Sequence, residues 1–168
     1  MSSPPPPAER AVEADVAEIE SALNRIAYVT NRARQHERLM ALAGISVDRA
    51  AAALLRQLAE SESLRPGELA ARLSVEASHV TRQVQHLERA GFVTRVPDPT
   101  DRRAQRVQLT DVGRATVDRM RLASCRGMRM ALTDWSPEDL HHLAGLFRRM
   151  VDDFIAHGDD ELDVRPPA

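Results

Sequence analysis

Apolar side chains recur along this chain at two different periods, and the switches between them predict its elements. From Glu9 onward Val12, Val16, Ile19, Leu23 and Ile26 follow a 4-3-4-3 spacing, the seam of one helix packed on another. The pattern predicts a single helix running to about Leu42 and closed by Gly44. A helix of that length outruns one small domain, so a partner chain is expected to share its seam. Ser46 is the expected cap of a second helix, whose apolar residues include Ala50 to Leu55 and Leu58. Pro66 opens a short helix to Leu73, with Leu69, Ala70 and Leu73 facing inward. A break at Ser74-Val75 precedes a helix from Glu76 to Ala90, with Val80, Val84 and Leu87 as its stripe and Gly91 as its stop. Two helices joined by so short a break predict a helix-turn-helix.

The period then drops to two. Phe92 to Val96 alternates and is rich in β-branched residues, and Arg106 to Leu109 alternates again with Val107 and Leu109 on one face. The turn cluster Pro97-Asp98-Pro99-Thr100-Asp101 lies between them, so the two runs predict a β-hairpin, or wing, with a basic tip. Thr110 is the expected cap of a helix carrying Val117, Met120, Met130 and Leu132. Ser136-Pro137-Glu138-Asp139 has the chemistry of a helix start: a capping hydroxyl, a proline at the first position and acids in the first turn. In the helix that follows, Leu140, Leu143, Phe147, Met150 and Phe154 form a second seam, the natural partner of the first. The expected fold is mainly α with a small β-wing. A winged helix-turn-helix lobe at 46–113 is flanked by an N-terminal dimerisation helix at 9–45 and by C-terminal helices at 114–157 that complete the dimer interface. Residues 1–8, rich in proline, and the acidic, proline-ended 158–168 are expected to be disordered tails.

Composition narrows the chemistry. The 168 residues are 43% hydrophobic and 29% charged, the mix of a soluble globular protein. Aromatics are only 3%, which argues against a stacking platform for single-stranded nucleic acid. The glycines are isolated, so no Gly-rich phosphate loop can be written from them, and H-E-x-x-H and G-x-S-x-G are absent. An enzyme is therefore the weaker class, and no cofactor is expected. No apolar run approaches the roughly 20 residues needed to span a membrane. No basic stretch followed by an apolar one marks a signal peptide, so a cytoplasmic protein is expected. The net charge of −2 hides its distribution: residues 63–114 hold nine Arg against six acids, whereas 133–168 hold three against nine. Every basic residue is Arg, a planar fork suited to phosphate and guanine edges.

The stretch from Pro66 to Gly113 resembles the winged helix-turn-helix of the MarR family of bacterial transcription regulators. Asp98-Pro99-Thr100-Asp101-Arg102-Arg103, followed by Leu109-Thr110-Asp111-Val112-Gly113, is similar to the family's wing signature, D-P-x-D-x-R with L-T-x-x-G after it. Gly67-Glu68-Leu69-Ala70 and Val80-Thr81-Arg82 resemble its helix-turn-helix, and Leu87-Glu88-Arg89-Ala90-Gly91-Phe92-Val93 its join to the first wing strand. Two positions depart from the family: Arg65 stands where a Thr often precedes the proline, and Glu76 where a Ser usually starts the recognition helix.

The resemblance implies a homodimeric regulator, most often a repressor, that reads a pseudo-palindromic operator in double-stranded DNA and is relieved by a small effector. With Val80, Val84 and Leu87 turned to the core, Ser78, His79, Arg82 and Gln83 are the candidates for base edges and Thr81 for phosphate. Arg102, Arg103 and Arg106 supply the cations a narrow minor groove attracts. By resemblance Arg103 is the arginine that enters that groove, and Asp98 and Asp101 are structural residues of the wing. Val16, Ile19, Leu23, Leu143, Phe147, Met150 and Phe154 are the candidate dimer contacts. The family commonly binds anionic aromatic ligands, and Arg32 and His36 are the candidates for lining such a pocket. Three alternatives stand beside this reading: sensing of a metal through the histidines, sensing of an oxidant through Cys125, and a winged helix used for protein contact. No histidine pair has chelating spacing, so no metal site is assigned.

Overall fold

The computed structural model describes residues 7–30, 32–101 and 103–161. Arg102 and the outer parts of both expected tails, 1–6 and 162–168, lie outside the described residues. The elements are α1 (Pro7–Thr30), α2 (Ala33–Ala43), α3 (Arg49–Ala59), α4 (Pro66–Leu73), α5 (Ala77–Arg89), β1 (Val93–Pro97), β2 (Gln105–Leu109), α6 (Asp111–Ala131) and α7 (Pro137–Glu161). The chain divides into two compact units, one ending at Gly127 and one beginning at Met128. That boundary falls inside α6.

The long N-terminal helix is two helices. Arg32 adopts an extended conformation (φ −70°, ψ 132°) and starts α2 afresh. The end of α1 explains the stop. Thr30 turns its hydroxyl back onto the carbonyls of Ile26 (2.9 Å) and Ala27 (3.2 Å). Such back-bonding weakens a helix, and β-branched Val29 and Thr30 add to the effect. The α2 helix ends at Gly44 in the left-handed conformation, where Arg119 of α6 reaches its last carbonyls. The Arg119 guanidinium donates to Ala43 O (2.7 and 3.0 Å) and to Gly44 O (2.5 Å). A cation at a helix C-terminus is favourable, and here it ties α6 to α2.

The cap of α3 is Asp48, not Ser46: its Oδ1 accepts from Ala51 N at 2.7 Å. An aspartate directly before the first turn is the closer acceptor for the free N–H groups there. The α3 face Ala51, Ala52, Leu54, Leu55 and Leu58 is buried against Leu69 and Ala70 of α4, the stripe Val80, Val84 and Leu87 of α5, and Val93, Val107 and Leu109 of the hairpin. Met120 of α6 closes the core at 0% exposure. Each such large aliphatic side chain contributes about 1.5–3 kcal/mol on burial.

β1 and β2 pair antiparallel, with Val93 opposite Leu109 and Arg95 opposite Val107. Leu64, in the segment before α4, adds a one-residue bridge on the outer side of β2. Its N–H donates to Val107 O (3.0 Å) and its carbonyl accepts from Val107 N (2.8 Å). The hairpin is thereby sewn to the approach of the helix-turn-helix.

Gly113, in the first turn of α6, packs against the start of the hairpin. A Cβ there would overlap the Phe92 carbonyl oxygen, lie 3.0 Å from its carbon and 3.2 Å from Leu109 Cδ2. The Phe92 carbonyl accepts from Thr110 N (3.0 Å), and Thr110 Oγ1 accepts from Gly113 N (3.0 Å) as the helix cap. The glycine of the L-T-x-x-G motif thus answers to closeness of two backbones.

In the second unit Ser136 caps α7, as its sequence predicts: Ser136 Oγ accepts from Asp139 N at 3.0 Å. Leu143, Leu146, Phe147, Val151, Phe154 and Ile155 are 38–68% exposed on this helix. In the first unit the seam of α1 is also open, with Val12, Val16, Ile19 and Ile26 at 47–62%.

Candidate nucleic-acid interface

The turn between α4 and α5 is made by Ser74, which takes the left-handed conformation (φ 51°, ψ 44°). Its N–H and that of Val75 bond back to Ala71 O (3.1 Å) and Ala70 O (3.0 Å), closing α4. Glu76 then begins α5 through its carbonyl, which accepts from His79 N (2.9 Å). Its carboxylate makes no cap bond and is exposed.

With Val80, Val84 and Leu87 buried, α5 presents Ser78, His79, Thr81 and Arg82 to solvent. Thr81 Oγ1 donates to Ala77 O at 2.9 Å. Gln83 sits differently from its expected place beside them. It is half-buried, and its Oε1 is shielded from solvent with no hydrogen-bond partner among the described residues. On the helix circumference it lies between Val80, three residues before it, and Leu87, four after, both buried. At the end of α5, Gly91 has φ 78° and Phe92 N bonds back to Leu87 O (2.9 Å). Only a left-handed residue makes that reversal cheaply, and it delivers the chain straight into β1. Arg95 on β1 pairs with Glu88 of α5 at 3.1 Å.

The wing turn is organised by a buried carboxylate. Asp98 Oδ1 accepts from Thr100 N (2.9 Å), Thr100 Oγ1 (2.7 Å) and Asp101 N (3.1 Å). Its Oδ2 accepts from Arg65 Nε (2.7 Å) and Arg106 Nη1 (3.3 Å). The Arg65 hydrogen bond, then those from Thr100, hold this carboxyl far below the usual carboxylate range against the opposing effect of desolvation. The Arg65 guanidinium is correspondingly raised, chiefly by its bond to Asp98. Asp101 Oδ1 accepts from Arg103 N (2.9 Å), and Asp101 O from Ala104 N (2.9 Å).

The wing arginines separate. Arg103 is exposed, and its guanidinium has no protein partner among the described residues. Arg106 is not a free cation at the tip. Its guanidinium donates to Ser63 O (2.6 Å), Ser63 Oγ (2.9 Å), Asp98 and Glu68 Oε2 (3.4 Å). The reason is its strand position: one residue from buried Val107, its side chain points toward the segment that carries Leu64. Arg65, which the motif reading left outside the site, is part of it; a guanidinium two residues after Ser63 and beside α4 was the available signal.

The two candidate ligand residues are also engaged. Arg32 lies over the Tyr28 ring (4.9 Å to its centre) and its Nη2 approaches Tyr28 Oη at 3.4 Å. His36 Nε2 is 3.0 Å from Val47 O, a contact that fixes the loop before α3. Cys125 is exposed on α6. Among the described residues no group of three or more His, Cys, Asp or Glu side chains converges, and no helix is long and apolar enough to cross a membrane.

Residues 48–104 match the MarR family model. Over 98 residues the chain is 32% identical to the HTH-type transcriptional regulator PecS of Dickeya dadantii, a match that covers 58% of this chain and 59% of that protein. The chain thus spans about three fifths of the length of such curated relatives. Among solved structures, a MarR family protein from Bacillus stearothermophilus superposes with a TM-score of 0.74 at 23% identity, covering 85% of this chain and 97% of its own. Wild-type apo MarR from E. coli gives 0.60 at 24% identity, covering 76% of this chain and 96% of its own. At those identities the likeness is one of fold, and it is the fold built here from α3 to α6 and the two-stranded wing. The winged helix-turn-helix domain at residues 48–104 is thus similar to that of the MarR family.

Proposed function

We propose that the chain is a cytoplasmic, sequence-specific DNA-binding transcriptional regulator that acts as a homodimer on a pseudo-palindromic operator. The observation that carries this reading is the pairing, in one folded lobe, of an exposed α5 face and a wing whose Arg103 has no protein partner among the described residues. Ser78, His79 and Arg82 are suited to base edges in a major groove, and Thr81 to a phosphate. Arg103 supplies the cation for an adjacent minor groove. Arg106 is left out of the contact set, since its guanidinium is committed within the lobe. The open apolar seams of α1 and α7 support dimerisation: exposed stripes of this kind mark association surfaces. On this reading Val16, Ile19, Leu23, Leu143, Phe147, Met150 and Phe154 meet a second copy.

Repression, relieved by a small effector, is the finer form of the proposal and rests on the family resemblance. An effector acts through different affinities for DNA-competent and incompetent conformations. Arg32 and His36 offer it little, because both already contact protein groups.

The test is titration of the protein onto DNA from its own upstream region at several salt concentrations. Specific binding that weakens with salt is expected, with a log–log slope reduced by about one per chain in Arg103→Ala. Absence of sequence-specific binding refutes the regulator reading, and an unchanged slope in Arg103→Ala refutes the wing assignment.

A further inference from the structure

We infer that Arg65 locks the wing onto the helix-turn-helix and so positions Arg103 for its groove contact. The inference rests on the DNA-binding reading above. The backbone of Arg65 is fixed first: it opens α4 in an extended conformation, and its N–H donates to Glu68 Oε2 at 2.7 Å. Its side chain therefore does not cap its own helix. It crosses to the wing, where Nε meets Asp98 Oδ2 at 2.7 Å and Nη2 meets Thr100 Oγ1 at 3.1 Å.

Those two acceptors are the root of the turn. Asp98 holds the N–H groups of Thr100 and Asp101, and Asp101 in turn holds the N–H of Arg103. The bonded path from α4 to Arg103 runs through Asp98 and Asp101, with Thr100 bracing Asp98. Arg106 shares Asp98 Oδ2 at the longer distance of 3.3 Å, but its other bonds lie elsewhere. They join β2 to Ser63 and Glu68, at the base of the hairpin, and among the described residues it does not bond Thr100. Arg65 is thus the positioning residue for the turn, and Arg106 for the strands beneath it. The planar fork matters, because one guanidinium engages Asp98 and Thr100 at once, which a lysine ammonium reproduces poorly.

The design also makes a clean test. Removing Arg65 leaves Asp98 paired with Arg106, so no buried carboxylate is stranded and the lobe is expected to fold. Amide hydrogen exchange is measured on the full chain without DNA for wild type, Arg65→Gln and Arg65→Lys. In Arg65→Gln the amides of Thr100, Asp101 and Arg103 are expected to exchange about tenfold faster, with those of Leu55 and Val107 unchanged. Arg65→Lys is expected to fall between the two. Equal exchange in the turn for all three proteins overturns the inference. Should Arg65→Gln speed exchange at Leu55 and Val107 as well, Arg65→Lys decides by the same turn-against-core comparison.

The second arm is DNA affinity for Arg65→Gln, Arg103→Ala and the double variant. Positioning predicts that the double variant loses no more than Arg103→Ala alone. Fold-losses that multiply assign Arg65 an independent phosphate contact and overturn it. A wild-type protein that binds no DNA sinks the regulator reading, and with it the link to Arg103's groove contact. The exchange data still decide whether Arg65 locks the wing.

Discussion

Gly113→Ala is the substitution on which local propensity and packing disagree most sharply. Alanine is the better helix former by up to about 1 kcal/mol, so a helix-only view predicts stabilisation. The packing view predicts the reverse. The new methyl would overlap the Phe92 carbonyl oxygen and crowd Leu109 Cδ2, and the first of these is backbone that cannot swing aside. Overpacking of that kind costs about 1–3 kcal/mol. Relief requires α6 to move off the hairpin, which stretches the Thr110 N to Phe92 O bond, worth about 1 kcal/mol. The net expectation is destabilisation by roughly 1–3 kcal/mol, a fall in Tm of about 2–12 °C for a chain of this size. The control sits on the same helix: a Cβ at Gly127 meets nothing within 4 Å, so Gly127→Ala is expected to be neutral or stabilising. Thermal unfolding followed by circular dichroism, at one fixed protein concentration, reads both. A Gly113→Ala protein that melts together with Gly127→Ala, at or above wild type, refutes the close-approach explanation of the motif.

Two further substitutions test the packing of the lobe. The Asp98 carboxyl is held far below its ordinary value of 3.8, so its contribution to stability is complete above that value and lost as pH falls below it. Wild type is therefore expected to exceed Asp98→Asn in urea-unfolding stability from neutral pH down to about 4, with the gap narrowing at lower pH; a gap that widens in acid contradicts the assignment. Arg119→Ala removes the cation from the end of α2 and is expected to cost about 1–2 kcal/mol, with faster amide exchange in the last turn of α2; unchanged exchange there denies Arg119 its capping role.

The lobe was legible because its elements are short and punctuated. Pro66, Gly91 and Thr110 mark ends that the structure reproduces, and alternation set Val107 and Leu109 on the buried face of β2. Periodicity failed where it continued through a break. Apolar spacing runs smoothly past Thr30, and the stop lies in hydroxyl back-bonding that carries no periodic signal. The Leu64 bridge was also invisible, since a single paired residue shows no alternation. Within the candidate site, motif position singled out Asp98 and Asp101, whose hydrogen bonds in the turn are local in sequence. The inward bonds of Arg65 and Arg106 escaped because their partners lie up to 43 positions away.

Arginine shows why charge counting could locate the lobe but not its contacts. Residues 63–114 hold nine arginines, and the fold divides them. Arg65 and Arg106 converge on the buried Asp98, Arg72 reaches Ser61 Oγ at 3.1 Å, and Arg95 pairs with Glu88. Arg114 lies 3.9 Å from an exposed Asp111, a pair worth little. Among the described residues of 63–114 that leaves Arg82, Arg89 and Arg103 as cations without a protein partner. Arginines spent inside the lobe give it shape and release no counterions when DNA arrives. On the proposed function, then, fewer phosphates are neutralised than the count suggests, and non-specific affinity is modest. On that same proposal discrimination falls to the α5 face and to the aim of Arg103, which the inferred Arg65 lock would set. Neutralising Arg65 should therefore alter specificity out of proportion to the single charge removed, which separates a shape-setting arginine from a phosphate-binding one.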